Sequence, residues 1–121
     1  MAYQFASDKP IFEQIMDHIV VKIACGIYNK EDRLPSVRDF ALKLGVNPNT
    51  VQRALAELER AEIIYAKRGD GNYVADPQKA EQLRLKIASE RANFFVHELS
   101  RMGFNTQQII SLTEETCNER S

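Results

Sequence analysis

The sequence lacks several features that mark a secreted, membrane-spanning or disulfide-stabilised protein. Its 121 residues include only two cysteines, Cys25 and Cys117, which are too few for a disulfide framework and have no metal-ligand spacing. No apolar run approaches the roughly 20 residues that span a bilayer. The N-terminus has neither the basic nor the apolar region of a signal peptide. We therefore expect a cytoplasmic protein with reduced thiols.

An excess of positive charge is also missing, because 17 acidic residues outnumber 16 basic ones and give a net charge of −1. DNA-binding modules usually carry a basic patch, although the patch can be local. Composition therefore favours neither a DNA-binding function nor another one. The sequence also lacks a nucleophile–base pair, a phosphate loop and a metal-ligand cluster around His18 or His97, so we expect no enzyme, metal or cofactor.

A first amphipathic helix is predicted from isoleucines that recur every four residues between Ile11 and Ile23. Asp8 is its expected cap, Pro10 its first helical position and Gly26 its end. A polar loop follows, over residues 27–33.

Two short helices separated by a tight break come next. Ser36 begins the first of them, with Asp39 in a capping-box position, and Gly45 ends it. Asn47 caps the second helix, which runs to about Ala61. Because this second helix opens with polar side chains, the pair has the pattern of a helix-turn-helix that presents a recognition helix to the DNA major groove.

The residues that follow predict a β-hairpin and then two further helices. Strands over residues 63–66 and 72–75 flank a turn at 68–71, and a hairpin in this position is a wing. Residues 78–102 are helical with a seam-like apolar spacing, and Asn105 caps a final short helix. The predicted fold class is mainly α with a small β-hairpin: a winged helix-turn-helix followed by a C-terminal helical hairpin.

The two tail helices cannot bury both of their apolar faces alone, because short helices need tertiary packing to persist. Pairing with the same segment of a second chain by two-fold symmetry would cover them, so we expect a homodimer. The predicted dimerisation residues are Ala88, Ala92, Phe95, Leu99, Met102, Ile109 and Leu112. Such a dimer places two recognition helices on successive turns of one DNA face, which selects a palindromic operator.

Several segments carry a more specific pattern in combination. They are 10–15 (PIFEQI), 34–38 (LPSVR), 46–51 (VNPNTV), 53–54, 58–59 and 68–71 (RGDG), with Val74. Together they resemble the GntR family of bacterial transcription regulators, and the VNPNTV string and short tail are similar to its YtrA subfamily. The resemblance implies a DNA-binding domain over 10–76, a dimerisation tail over 77–121, and a repressor that binds a double-stranded DNA operator.

Candidate DNA contacts follow from the helix pattern and the resemblance. Arg38 can bind a phosphate or a guanine edge through its guanidinium, and its family counterpart contacts DNA. Asn49 and Gln52 carry amides of the type that binds adenine, unless they are simply solvated. The full candidate set is Ser36, Arg38, Asn47, Asn49, Thr50, Gln52, Arg53, Lys67, Arg68, Gly69 and Gly71. Helix capping and turn formation are the simpler roles for Ser36 and the two glycines.

Glu62, Asp70 and Leu55 depart from the family pattern. Glu62 replaces a glycine at the end of the recognition helix, so we expect a different turn into the wing. Asp70 replaces a basic residue at the wing tip, where a carboxylate is repelled by the narrow minor groove. Recognition should therefore depend on residues 36–53 more than on the wing. Leu55 replaces a frequent tyrosine and is expected to be a core variation.

A winged helix used for protein–protein interaction is the alternative function, favoured by the near-neutral charge and by Asp70. A basic face that contains Arg38, Arg53 and Lys67 would favour DNA binding instead. The sequence does not specify a small-molecule effector.

Overall fold

A computed structural model of the chain describes residues 9–120, which form five helices and one β-hairpin. The helices are α1 (Ile11–Ala24), α2 (Val37–Leu44), α3 (Pro48–Arg60), α4 (Pro77–Arg101) and α5 (Thr106–Arg120), and the strands are β1 (Ile64–Lys67) and β2 (Gly71–Val74). This order confirms the predicted fold class. Within the described residues, no helix is long and apolar enough to cross a membrane.

The start of α1 differs slightly from the prediction. Pro10 has a ψ of 143°, which is extended, so it is the N-cap residue rather than the first helical position. The expected Asp8 cap lies outside the described residues.

Local hydrogen bonds set the tight break between α2 and α3. The Ser36 hydroxyl accepts from the Asp39 backbone N–H at 3.0 Å, and the Asp39 carboxylate accepts from the Ser36 N–H at 3.4 Å, which is the predicted capping box. Gly45 ends α2 in the left-handed conformation, with a φ of 71°. The Asn47 side chain then caps α3 by accepting from the Asn49 N–H at 2.8 Å. These bonds confirm the predicted helix ends.

The turn from α3 into β1 corrects one expectation. Glu62 has a φ of 63°, so this turn uses the left-handed conformation that a glycine favours, and the prediction of a different turn is wrong. The Glu62 N–H bonds to the Glu59 carbonyl at 2.9 Å, and the Ile63 N–H bonds to the Leu58 carbonyl at 3.1 Å. This pair of bonds is a Schellman motif, which holds Glu62 in a conformation that costs a non-glycine residue about 1–2 kcal/mol.

One apolar core joins α1, α2, α3 and the hairpin. Its largest fully buried side chains are Phe40, Ile15, Ile19, Ile23, Leu58, Ile63, Ile64, Val20, Val51 and Val74. The first turns of α4 also pack on this core, through buried Ala80 and half-buried Leu83. For this reason the chain divides into two compact units between Arg84 and Leu85, inside α4.

The second unit comprises the rest of α4 and α5, joined by a tight turn at Gly103, whose φ is 91°. Asn105, the predicted cap of α5, pairs with Gln108: each backbone N–H donates to the other side chain at 2.9 Å. Ile109 is buried between the helices, whereas many other apolar side chains of this unit are exposed.

The buried environment of His18 predicts a pH-dependent stability. Burial, and then repulsion by Lys22 and Lys43, lowers the pKa of His18 below the ordinary value of 6.5. As the pH falls, the unfolded chain therefore takes up this proton before the folded chain does. We expect the free energy of unfolding to decline as the pH falls below about 7, and this decline to shrink in His18→Gln, as measured by urea unfolding.

The control for this prediction is His97→Gln, which alters an exposed histidine of the second unit. This variant should retain the decline of the parent protein. An undiminished decline in His18→Gln would show that other groups cause it.

Candidate nucleic-acid interface

Helix α3 separates an apolar face from a polar one. Its buried side chains are Val51, Ala54, Leu55 and Leu58, and the candidate side chains Asn49, Gln52 and Arg53 are exposed. Leu55 is 4% exposed, in agreement with its assignment to the core. The apolar face fixes α3 against the domain, so the polar face is available to a partner.

The N-terminal turn of α3 is suited to an anion. Backbone N–H groups of a first helical turn lack intrahelical partners, and the helix dipole adds partial positive charge there. Asn47 caps this turn, and half-buried Thr50 lies within it. Pro48 has no N–H, and the Asn49 and Thr50 N–H groups donate to the side chain and the carbonyl of Asn47, so the helix dipole and the Thr50 hydroxyl are what this turn offers to a phosphate.

Arg38 lies in the first turn of α2, two residues after the Ser36 cap, and its side chain is exposed. The neighbouring carboxylate of Asp39 is engaged by the Ser36 N–H in the capping box. Arg38 therefore lies on a helix whose ends are fixed by caps. A short connection through Gly45 joins this helix to α3, whose start is also capped.

Arg53 has a partner that the sequence did not indicate. Its guanidinium carbon lies 3.8 Å from the centre of the Phe12 ring, so α1 supports this side chain through a cation–π contact. Stacking on a ring face leaves the N–H edges of a guanidinium available as donors. Periodicity within α1 or α3 could not reveal the pair, since it joins two helices far apart in sequence.

The wing is an antiparallel hairpin in which Ile64 pairs with Val74 and Lys67 with Gly71. Lys67 and Arg68 are exposed at its tip, and Gly69 has a φ of 77°, which explains its presence in the turn.

Gly71 has a positive φ of 158°, as expected for a glycine of the hairpin, and it also meets a second requirement. A Cβ atom there would lie 3.0 Å from Nε of Arg33. Glycine therefore provides space for this arginine.

Residues 31–34 pair with β2 as a short extended segment, called the third edge of the wing below. The sequence suggested only a polar loop here. Arg33 forms a bridge with Tyr73, the Leu34 N–H donates to the Asn72 carbonyl at 2.8 Å, and the Glu31 N–H donates to the Val74 carbonyl at 2.9 Å. A single bridge is too short to produce a detectable alternation in the sequence.

Polar side chains form hydrogen bonds within the hairpin and between the hairpin and this third edge. The Tyr73 hydroxyl donates to the Asp70 carboxylate at 2.5 Å, and the Tyr65 hydroxyl donates to Glu31 at 2.5 Å. These hydrogen bonds are the main reason why the pKa values of both tyrosines are raised. The two rings stack with centres 5.6 Å apart, and Nζ of Lys67 lies 4.4 Å from the centre of the Tyr73 ring. The carboxylate of Asp70 is thus engaged within the wing.

The tail residues predicted for dimerisation lie on α4 and α5. Ala88, Ala92, Phe95, Met102 and Leu112 are exposed, Leu99 is half-buried and Ile109 is buried. Ala92, Phe95 and Ile109 line an open groove of about 580 Å³ within the second unit. Val96, Ile110 and Thr113 complete much of its wall, which is mainly apolar.

Among residues 9–120, no group of three or more His, Cys, Asp or Glu side chains is placed to hold a metal ion.

Comparison with known proteins provides independent information. Residues 11–74 match the bacterial regulatory proteins of the gntR family. The chain is 35% identical over 111 residues to YhcF, an uncharacterised HTH-type transcriptional regulator of Bacillus subtilis, and this match covers 91% of the chain and 92% of YhcF. It is 44% identical over 81 residues to the HTH-type transcriptional repressor YtrA of the same organism, covering 67% of the chain and 62% of YtrA.

A solved structure gives the same result. A GntR family transcriptional regulator from Listeria monocytogenes is 45% identical to the chain, with a TM-score of 0.80 over 92% of the chain and 98% of that protein. The relatives named here are transcription regulators rather than enzymes. Their descriptions do not favour the alternative of a protein-interaction module.

Proposed function

The chain belongs to the GntR family of bacterial regulatory proteins and is a DNA-binding transcription regulator, and we propose that it acts as a homodimeric repressor, of the YtrA branch, on a palindromic operator. The exposed polar face of α3 carries this proposal, because its caps and buried apolar face hold it ready for the major groove. The 44% identity to the repressor YtrA supports the branch and the repressor role.

The contacts divide into base recognition and backbone positioning. Asn49, Gln52 and Arg53 are placed to contact base edges, because they lie on the exposed face near the start of α3. Arg38 at the start of α2 reaches a phosphate or a guanine. Ser36, Asn47 and Thr50 contribute at the helix N-termini, where phosphates are favoured.

The wing supplies further contacts to the DNA backbone. Lys67 and Arg68 are exposed cations at its tip, and Gly69, with open space around it, allows close approach of the main chain, whereas Gly71 gives its space to Arg33. Since Asp70 is engaged by Tyr73, its carboxylate opposes this contact less than a free one would.

The dimer is formed through the tail in this proposal. Exposed apolar side chains are concentrated in the second unit: Phe94, Phe95, Val96, Met102, Ile110 and Leu112. A concentration of this kind marks an interaction surface, and a second copy of the same hairpin is a self-complementary partner for it.

Selection of fragments from the genomic DNA of the encoding organism by the purified protein tests the proposal. We expect recovered fragments to share an inverted repeat, the protein–DNA complex to contain two chains, and addition of protein to reduce transcription from the neighbouring promoter. Recovery of fragments without a shared sequence, or binding by a single chain, would contradict it.

Arg38→Ala is expected to reduce affinity for the selected fragment by about 1–3 kcal/mol, because a charged bidentate contact is lost. Gel-shift titration at fixed salt measures the loss. Arg60→Ala is the matched control, since Arg60 is 74% exposed at the opposite end of α3 and pairs with Glu57. Equal affinity of the Arg38 variant and the parent protein would remove Arg38 from the interface.

A further inference from the structure

The wing tip combines cations from two separate parts of the chain. Lys67 and Arg68 belong to the hairpin, whereas Arg33 comes from the third edge that precedes α2. Asp70 is the carboxylate among them, and it accepts a hydrogen bond from Tyr73. The tip therefore carries more positive charge than the RGDG turn alone suggests.

Arg33 is held at both its main chain and its side chain. Its backbone forms the bridge with Tyr73, and its guanidinium Nη2 donates to the backbone carbonyl of Asp70 at 2.5 Å. The same nitrogen lies 3.7 Å from the Asp70 carboxylate. Replacement of the side chain at position 70 would leave the carbonyl contact in place, because that contact is made by the main chain.

The guanidinium of Arg33 still has donors available for a partner. A guanidinium carries five N–H groups, and the Asp70 carbonyl uses one. The side chain is 59% exposed despite its anchoring. An exposed guanidinium whose position is already fixed loses less conformational entropy when it binds an anion.

We infer that Arg33 is a further DNA-phosphate contact of this protein, placed by the Asp70 carbonyl and by the space at Gly71. Its charge also offsets the Asp70 carboxylate as the wing approaches DNA. The inference rests on the proposed function, because it assigns a role within the same DNA-binding surface. A phosphate is the appropriate ligand, since the guanidinium is fixed beside the wing turn on a segment outside α3, the helix proposed to contact the bases.

Salt dependence of DNA binding provides the test. Log affinity for duplex DNA falls with log salt concentration by about 0.9 per phosphate neutralised. We expect Arg33→Gln to reduce this slope by about 0.9 and to weaken binding by the same factor for the selected fragment and for a duplex of arbitrary sequence. Glutamine removes the charge, and because its side chain is shorter it also loses the contact of Nη2 with the Asp70 carbonyl. Arg33→Lys should retain the slope, as should Arg60→Ala.

Several results would overturn the inference. One is an unchanged slope in Arg33→Gln when its thermal unfolding matches that of the parent protein. Another is a loss of affinity confined to the selected fragment, which would indicate base recognition. If Arg33→Gln unfolds more easily, the slope of Arg33→Lys decides, because a reduced slope in that variant would show that geometry rather than charge matters. Failure of the parent protein to bind the selected fragment would instead refute the proposed function.

A double-mutant cycle tests the offset of Asp70. Asp70→Asn should strengthen binding to the duplex of arbitrary sequence more in the Arg33→Gln background than in the parent protein, because Arg33 no longer offsets the carboxylate there. Equal factors in the two backgrounds would show that the side chains act independently and would contradict this part of the inference.

Discussion

Phe95→Asp is expected to convert the proposed dimer into monomers and to weaken operator binding by about 10²–10⁴-fold. Phe95 is 43% exposed and lines the apolar groove of the tail, so a second chain would bury the new carboxylate without a partner. Two linked recognition helices bind two half-sites with a high effective concentration, which a monomer loses. Sedimentation velocity measures the assembly, and gel-shift titration on the selected fragment measures the affinity.

His97→Asp is the matched control for this substitution. His97 is exposed on the same helix, and the helical repeat of 3.6 residues places it on the side opposite Phe95. We expect this variant to remain dimeric and to bind the selected fragment with the affinity of the parent protein. A Phe95→Asp protein that stays dimeric would exclude the tail groove as the interface.

In the proposed function, the dimer and the DNA-contacting residues contribute to operator binding in different ways. Each subunit offers a small set of polar side chains at the starts of α2 and α3. A single half-site contacted by so few groups would be bound weakly, and the symmetry of the proposed dimer would double the contacts without new chemistry. In this proposal the tail determines whether the recognition surface can select an operator.

The parts of the fold that depend on local sequence were predictable. The Ser36–Asp39 capping box, Gly45 and the Asn47 cap involve residues at most three apart, and their side-chain chemistry specifies the helix ends. The same applies to the reciprocal cap of α5. The break between α2 and α3, which defines the helix-turn-helix, was therefore visible in the sequence.

The parts that depend on contacts between distant segments were not predictable. Arg33 meets Asp70 across 37 residues, and Arg53 stacks on Phe12 of another helix. No periodicity or capping rule links such pairs, so the sequence indicated neither the third edge of the wing nor the engagement of Asp70. The conformation of Glu62 was also not predictable from its residue type. A glutamate disfavours a positive φ, but the hydrogen bonds of the Schellman motif hold it there.

Phe40→Ala is expected to reduce the free energy of unfolding by about 3–5 kcal/mol. Phe40 is fully buried on α2, among the core residues contributed by α1 and α3. The loss combines the transfer free energy of the ring with the cavity that remains. Since a small domain has only about 5–15 kcal/mol of stability, the variant should unfold at a markedly lower urea concentration. Urea unfolding at one fixed protein concentration measures the change, because the proposed dimer would make stability depend on concentration.

Leu42→Ala is the matched control on the same helix, because Leu42 is 74% exposed and alanine is an equally good helix former. We expect a change within about 0.5 kcal/mol. A loss below about 1 kcal/mol in Phe40→Ala would mean that the core closes over the missing ring and that α2 is not fixed by this side chain. Because α2 carries Arg38, a loss of about 3–5 kcal/mol in the free energy of unfolding should also weaken DNA binding, although the side chain at position 40 is buried and does not contact DNA. Restoring the fraction of folded protein at low temperature should then recover part of the affinity in Phe40→Ala but not in Arg38→Ala.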